Sequence, residues 1–202
     1  MFKRLGTLLL IASLVLLTAC KNSEESSSSS SGNKNSVPDN SPSESQDISE
    51  NGPNEVGDVY EIDGGTAKVT AISNKETTAK SGPMQLTVKR VIAAVANEKT
   101  PFIELELEAK NTSDGVVNFT PDSIKLATST GVQVEEPSLD ESDDLLGEYI
   151  GKVKDSGSVF YIFQNEEDIE NLDSIRLRVA SPSDENATAL GDKMDIKINL
   201  EH

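Results

Sequence analysis

An antiparallel β-sandwich is the fold this sequence predicts, and three observations predict it. From Gly57 onward the apolar residues recur with a period of two. Clusters of Gly, Pro, Asn, Asp and Ser punctuate these runs at short intervals. No long stretch carries a helical apolar stripe, so short strands with turn signals between them remain as the building units. A closed barrel is the alternative closure of the same strands.

Residues 1–19 come first and read differently. Met1-Phe2-Lys3-Arg4 is a short basic segment, and residues 5–17 are apolar except for Gly6, Thr7 and Ser13. Thr18 and Ala19 are small, and Cys20 follows. A basic start, an apolar middle and a small-residue end form a secretory signal. The apolar run is shorter than the ~20 residues that cross a bilayer as a helix. Leu17-Thr18-Ala19-Cys20 resembles the bacterial lipobox. That resemblance implies a diacylglyceryl group on the Cys20 thiol and cleavage just before it. Two acyl chains would then hold the protein to a membrane, at ~0.8 kcal/mol per buried CH₂.

Residues 20–57 read as a disordered, Ser-rich acidic tether. Ser26 to Ser31 form an unbroken serine run, and Val37, Ile48 and Val56 are the only large apolar residues. Such a composition cannot bury enough surface to offset its chain entropy. As a coil it would span roughly 30–35 Å.

Residues 58–202 are predicted to form the sandwich. The clearest strand covers 102–110, with Ile103, Leu105, Leu107 and Ala109 on one face and Glu104, Glu106, Glu108 and Lys110 on the other. Strict alternation of this kind marks a strand with one wet face, and Asn111-Thr112-Ser113-Asp114-Gly115 supplies a turn after it. Shorter runs cover 68–73, 85–91 with Leu86 and Val88 inward, 116–119, 123–127, 132–134 and 158–163. Ile175, Leu177 and Val179 alternate with Arg176 and Arg178. Met194, Ile196, Ile198 and Leu200 alternate with Asp195, Lys197 and Asn199. Two segments suggest single helical turns instead: the Ala-rich 91–96 and the acidic 166–171.

The stretch from Val56-Gly57-Asp58 to Leu200 resembles the DUF4352 or telokin-like family of secreted Gram-positive lipoproteins. The resemblance rests on Val69-Thr70-Ala71-Ile72, on Ile103-Glu104-Leu105-Glu106-Leu107 with Asn111-Thr112-Ser113-Asp114, Phe119, Pro121, Leu126 and Gly131, and on Leu146-Gly147, Gly151 and Ser156-Gly157-Ser158-Val159-Phe160. It implies an immunoglobulin-like sandwich and a role at the bacterial surface through contact with other proteins. It brings no catalytic residues. The segment 77–100 departs from the pattern.

Charge and rare residues narrow the chemistry. The formal net charge is −17. Without residues 1–19 it becomes −19, from 16 bases against 35 acids, a balance that disfavours nucleic acid and anionic headgroups. Cys20 is the only cysteine and His202 the only histidine. An intrachain disulfide and a His/Cys metal cluster are therefore excluded, and a catalytic triad would need the terminal His202.

Two acidic groups offer candidate chemistry. The stretch around Asp140, Asp143 and Asp144, flanked by Glu135, Glu136, Glu141 and Glu148, has the oxygen ligands calcium wants. Its spacing fails the EF-hand pattern, with Leu145 where Gly is needed and Gly151 where the bidentate Glu should be. A solvated loop is the reading preferred. Glu104, Glu106 and Glu108 could serve carboxylate-based glycoside hydrolysis across a cleft, but they read as wet strand-exterior charges that discourage edge-to-edge pairing. The expectation is therefore a lipid-anchored, extracytoplasmic, non-enzymatic binding module without a cofactor, at a Gram-positive cell membrane. Its partners would be membrane lipid through Cys20 and an envelope protein, with no nucleic acid. A cell-wall hydrolase and a calcium-dependent adhesion module are the alternatives.

Overall fold

The computed structural model describes residues 52–120, 124–145 and 147–202. The expectations for the signal, for Leu17, Thr18, Ala19 and Cys20, and for the tether before residue 52 lie outside these residues. Twelve strands are present among the described residues: β1 Val59–Ile62, β2 Gly65–Ser73, β3 Thr77–Ser81, β4 Met84–Ala96, β5 Thr100–Asn111, β6 Val116–Asn118, β7 Ile124–Thr128, β8 Gln133–Val134, β9 Glu148–Ile150, β10 Lys154–Ile162, β11 Ser174–Val179 and β12 Met194–Asn199. The acidic 166–171 segment contains one 3₁₀ turn, Glu166–Asp168.

Every named pair of strands is antiparallel. A six-stranded sheet runs β1-β2-β4-β5-β10, with β3 also on β4, and a four-stranded sheet runs β12-β11-β7-β8. β6 and β9 pair separately. The two larger sheets face each other across one core. Leu86, Val88, Ile103, Leu105, Leu107, Val159 and Tyr161 come from the first sheet, and Ile124, Leu126, Ile175, Leu177, Val179, Ile196 and Ile198 from the second. This is the predicted β-sandwich. One corner is joined, because Ile72 and Glu201 exchange both backbone hydrogen bonds, at 2.9 and 2.8 Å.

The Ala-rich 91–96 segment is strand, not the helical turn expected. It continues β4, and a register shift between Val88 and Arg90 explains why the alternation was lost. Before the shift Met84, Leu86 and Val88 point to the main core; after it Val91 and Ala93 do so, while Ile92, Ala94 and Ala96 enter a second cluster on the other side of the sheet. An extra residue in one strand re-aims everything beyond it. A strand buried on both faces shows no period of two.

The folded part also starts earlier than position 58. Pro53 is buried, and its carbonyl accepts a bond from Arg90 Nη1 at 2.9 Å. Gly57 N–H donates to Val69 O at 3.0 Å. Pro53 and Gly57, counted as tether, are thus bonded to the large sheet.

The turn after β5 is held by a buried amide. Asn111 is fully buried; its Nδ2 donates to Gly115 O at 2.8 Å and Tyr149 O at 3.2 Å, and its Oδ1 accepts from Ser113 N at 2.9 Å. Replacing it by Ala would remove these three hydrogen bonds, each worth about 1 kcal/mol. It would also leave the Ser113 amide without its acceptor, while Gly115 O would keep only the bond from Gly151 N–H. Asn111→Ala should therefore lower unfolding stability by roughly 3 kcal/mol or more in a urea titration. Gly82, at φ +53° in the β3–β4 turn, is a second such point, since a Cβ there would overlap the carbonyl oxygen of Leu190. Gly82→Ala should shift the urea midpoint by the equivalent of about 1–3 kcal/mol.

Candidate functional site

The outer face of the large sheet is not the uniform wet surface that the Glu104, Glu106 and Glu108 row implied. Glu108 does sit near solvent, between Lys89 and Lys154, each with its Nζ 3.2 Å from Oε2. Hydrogen bonds from Lys154 and then Lys89 hold its carboxyl below the usual range. Glu106 is paired with Arg90. Glu104, one step further along β5, lies in a groove of about 620 Å³. The correction has a plain cause. The row is wet at one end, and the curled sheet covers the other.

Four strands, with Ala96 of β4 among them, and the acidic loop build this groove. β1 contributes Tyr60 and Ile62, β5 contributes Phe102 and Glu104, and β10 contributes Phe160 and Ile162. Ser138 and Glu141 come from the acidic loop. The second apolar cluster lies at its base, where the small side chains Ala67, Ala94 and Ala96 leave room above the strands. Phe102 and Phe160 pack with ring centroids 5.8 Å apart at an interplanar angle of 46°, a tilted contact that aromatic quadrupoles favour.

Two polar groups face this apolar setting. Burial raises the Glu104 carboxyl above the ordinary carboxylate value; the Ser158 hydroxyl, donating to Oε1 at 2.6 Å, opposes the shift, and neighbouring Glu106 adds to it. The Tyr60 phenol is pushed well above its ordinary value, first by burial and then by the nearby Glu104 charge. Tyr60 Oη is buried with no hydrogen-bond partner among the described residues. A buried donor left unpaired is unusual in a folded protein. Here it sits beside a desolvated carboxyl, at the wall of a cavity.

The acidic loop has a structural task that its composition concealed. It runs along the free edge of β10. Ser138 N–H donates to Phe160 O at 2.7 Å, and Asp143 N–H donates to Ser158 O at 2.9 Å. Phe160 N–H is taken by Ser142 Oγ at 2.9 Å and Ser158 N–H by Asp143 Oδ2 at 2.6 Å. Gly157 permits this approach, because a Cβ on it would fall 2.7 Å from Asp143 Cβ. Among the weak calcium candidates, Asp143 is therefore committed to a backbone amide, and Asp140 and Asp144 stay exposed. Among the described residues no three His, Cys, Asp or Glu side chains converge to hold a metal ion. No helix among them is long and apolar enough to cross a membrane.

The Glu104 shift has a defined pH signature. A carboxyl whose folded pKa exceeds its unfolded value binds more protons when folded, so stability falls as pH rises through that interval. Glu104→Gln keeps the acceptor for Ser158 and removes the desolvated charge. It should raise the melting temperature at pH 7. The advantage should vanish below about pH 4.3, where the unfolded carboxyl is protonated too. Melting curves of both proteins between pH 3.5 and 8 check this.

Comparison with known proteins adds to this geometry. No family model matches the chain. A Listeria monocytogenes EGD-e protein described as functionally unknown shares 13% identity over 67% of this chain and 87% of its own, with a TM-score of 0.52, and so shares the fold. The ycdA protein of Bacillus subtilis subsp. subtilis str. 168 aligns at 15% identity and a TM-score of 0.43, over 62% of this chain and 39% of its own. The SPbeta prophage-derived uncharacterized lipoprotein YonS of Bacillus subtilis (strain 168) is 68% identical over 202 residues, 100% of this chain and 99% of YonS. The chain belongs to the YonS family of lipoproteins.

Proposed function

We propose that this lipoprotein is a non-catalytic binding module, held to the extracytoplasmic face of a Gram-positive cell membrane by acyl chains on Cys20. Its sandwich, of the immunoglobulin-like, telokin-like class, captures a cationic segment of an envelope protein. The observation that carries the reading is the groove itself, in which Tyr60, Phe102 and Phe160 stand beside the desolvated Glu104. Rings and a carboxyl together suit a Lys or Arg side chain. The cation gains ring-face attraction, and it supplies the charge that Glu104 lacks. Asp63 and Glu141 at the rim, and a net charge of −19 without residues 1–19, favour the approach of basic partners. Residues 20–51 act as the tether, and the 68% identity to a lipoprotein over the whole chain supports the lipid anchor.

The anchor and the groove are tested separately. Cys20→Ala should leave the protein unacylated by mass spectrometry, and membranes washed at high salt should then retain less than about a tenth of the wild-type amount, as a single lost anchor predicts. For the groove, a peptide alternating Leu and Lys is the probe. Its affinity should fall about tenfold, or about 1.4 kcal/mol, in both Glu104→Gln and Phe160→Ala. Unchanged affinity in both would remove the groove as the site.

A further inference from the structure

The outer face of the four-stranded sheet carries the opposite charge to the rest of the protein. Lys125 of β7, Arg176 and Arg178 of β11, and Lys197 of β12 all point to solvent there, and Lys193 lies just before β12. Five of the 16 bases outside residues 1–19 share this one surface, in a chain with 35 acids. The strand register makes the clustering costly. Lys125 stands directly opposite Arg178, and Arg176 directly opposite Lys197. Like charges in such positions destabilise a sheet. Alternation alone would accept any polar residue at these sites.

The same surface holds a depression of about 460 Å³. Small side chains make its floor: Ala127, opposite Arg176 in the register, and Ala180 after β11. Lys125, Arg176, Arg178 and Lys193 rim it. Two of the four are already engaged, Arg176 by both oxygens of Asp195 at 2.6 Å each and Lys125 by Glu135. Arg178 and Lys193 have no ion pair within 4.0 Å among the described residues. Asp195, opposite Arg178 in the register, is committed through both oxygens to Arg176, and Asp195 and Glu135 are too few to neutralise the set.

We infer that this depression is an anion site that takes a phosphate group. Guanidinium and ammonium groups around one hollow supply the bidentate and point-charge contacts that phosphate oxygens accept. A phosphate oxyanion, with several acceptor oxygens, can meet Lys125 and Arg178 together and so relieve the like-charge pair at the rim. The protein's overall negative charge does not forbid this, because charges more than about 8 Å away are largely screened at physiological salt. The site is on the other sheet from the aromatic groove and stands independently of it.

The test uses the full chain in neutral detergent, with backbone amide shifts as the readout. One arm adds inorganic pyrophosphate; a second adds short-chain phosphatidylglycerol to the micelles, with phosphatidylcholine as its control. Saturable shifts centred on Lys125, Arg178 and Lys193 are expected. They should require at least tenfold more ligand in Arg178→Ala/Lys193→Ala. Asp195→Asn should tighten binding by freeing Arg176, which a merely structural role for the pair would not do. A response to pyrophosphate assigns a soluble phosphate or diphosphate group. A response to phosphatidylglycerol alone assigns a lipid headgroup. Silence in both arms, equal binding by the double variant, or weaker binding by Asp195→Asn overturns the site.

Discussion

The large sheet changes character at one point on β4, the register shift between Val88 and Arg90. N-terminal to it, the strand is half-buried in the ordinary way and faces the main core with Leu86 and Val88. C-terminal to it, Ile92, Ala94 and Ala96 serve a second apolar cluster on the reverse side. β2 carries a matching irregularity between Val69 and Ala71. Bulges increase local twist, and with two of them in adjacent strands the sheet curls until Tyr60 on β1 and Phe160 on β10 line one hollow. Without that curl, Glu104 would be as wet as Glu108.

Glu104 is thus a charge that the fold makes less stable than it could be. A neutral or apolar residue at this register position would pack against Phe102 and Phe160 without the desolvation penalty. The surrounding residues do little to relieve it. Ser158 gives one hydrogen bond, but Arg90 is spent on Glu106 and on the Pro53 carbonyl. The Tyr60 hydroxyl, the nearest additional polar group of the cluster, remains without a partner. Groups that oppose stability at the wall of a cavity are the usual mark of a site, since burial that is harmful alone becomes useful once a complementary ligand arrives.

How much of this was readable depended on whether one strand carried the signal alone. β5 was legible because its alternation is strict from Ile103 to Ala109 and one strand suffices to show it. β3 was missed because Thr77–Ser81 contains no large apolar residue and joins the sheet only through β4. β1 shows no alternation because Val59 and Tyr60 are both buried, and β9 shows none because Ile150 is exposed beside buried Tyr149. The half of β4 beyond the bulge looked helical for a physical reason, since burial on both faces erases alternation. The groove was hidden for the same reason. Phe102 and Glu104 were in plain view as residues, but their enclosure depends on Tyr60 and Phe160, 42 positions before and 58 after Phe102. The acidic loop read as solvated charge because its task, covering the edge of β10, is done by the Ser138 and Asp143 amides and the short Ser142 and Asp143 side chains, which composition alone does not distinguish from solvated groups.

The acidic loop also connects the two halves of the argument. An exposed β10 edge would offer unpaired amides to any extended chain. Ser138, Ser142 and Asp143 occupy those amides and carbonyls instead, which leaves side chains as the means of recognition. In the binding role proposed above, recognition falls to the two outer faces, and these differ in kind. One is an aromatic hollow with a destabilised carboxyl, and the other a depression with a cationic rim and opposed like charges. A purely structural sandwich has no reason to hold strain of both signs on opposite sheets. In a tethered protein two such faces can be occupied together, and two weak contacts at one surface gain from the shared effective concentration.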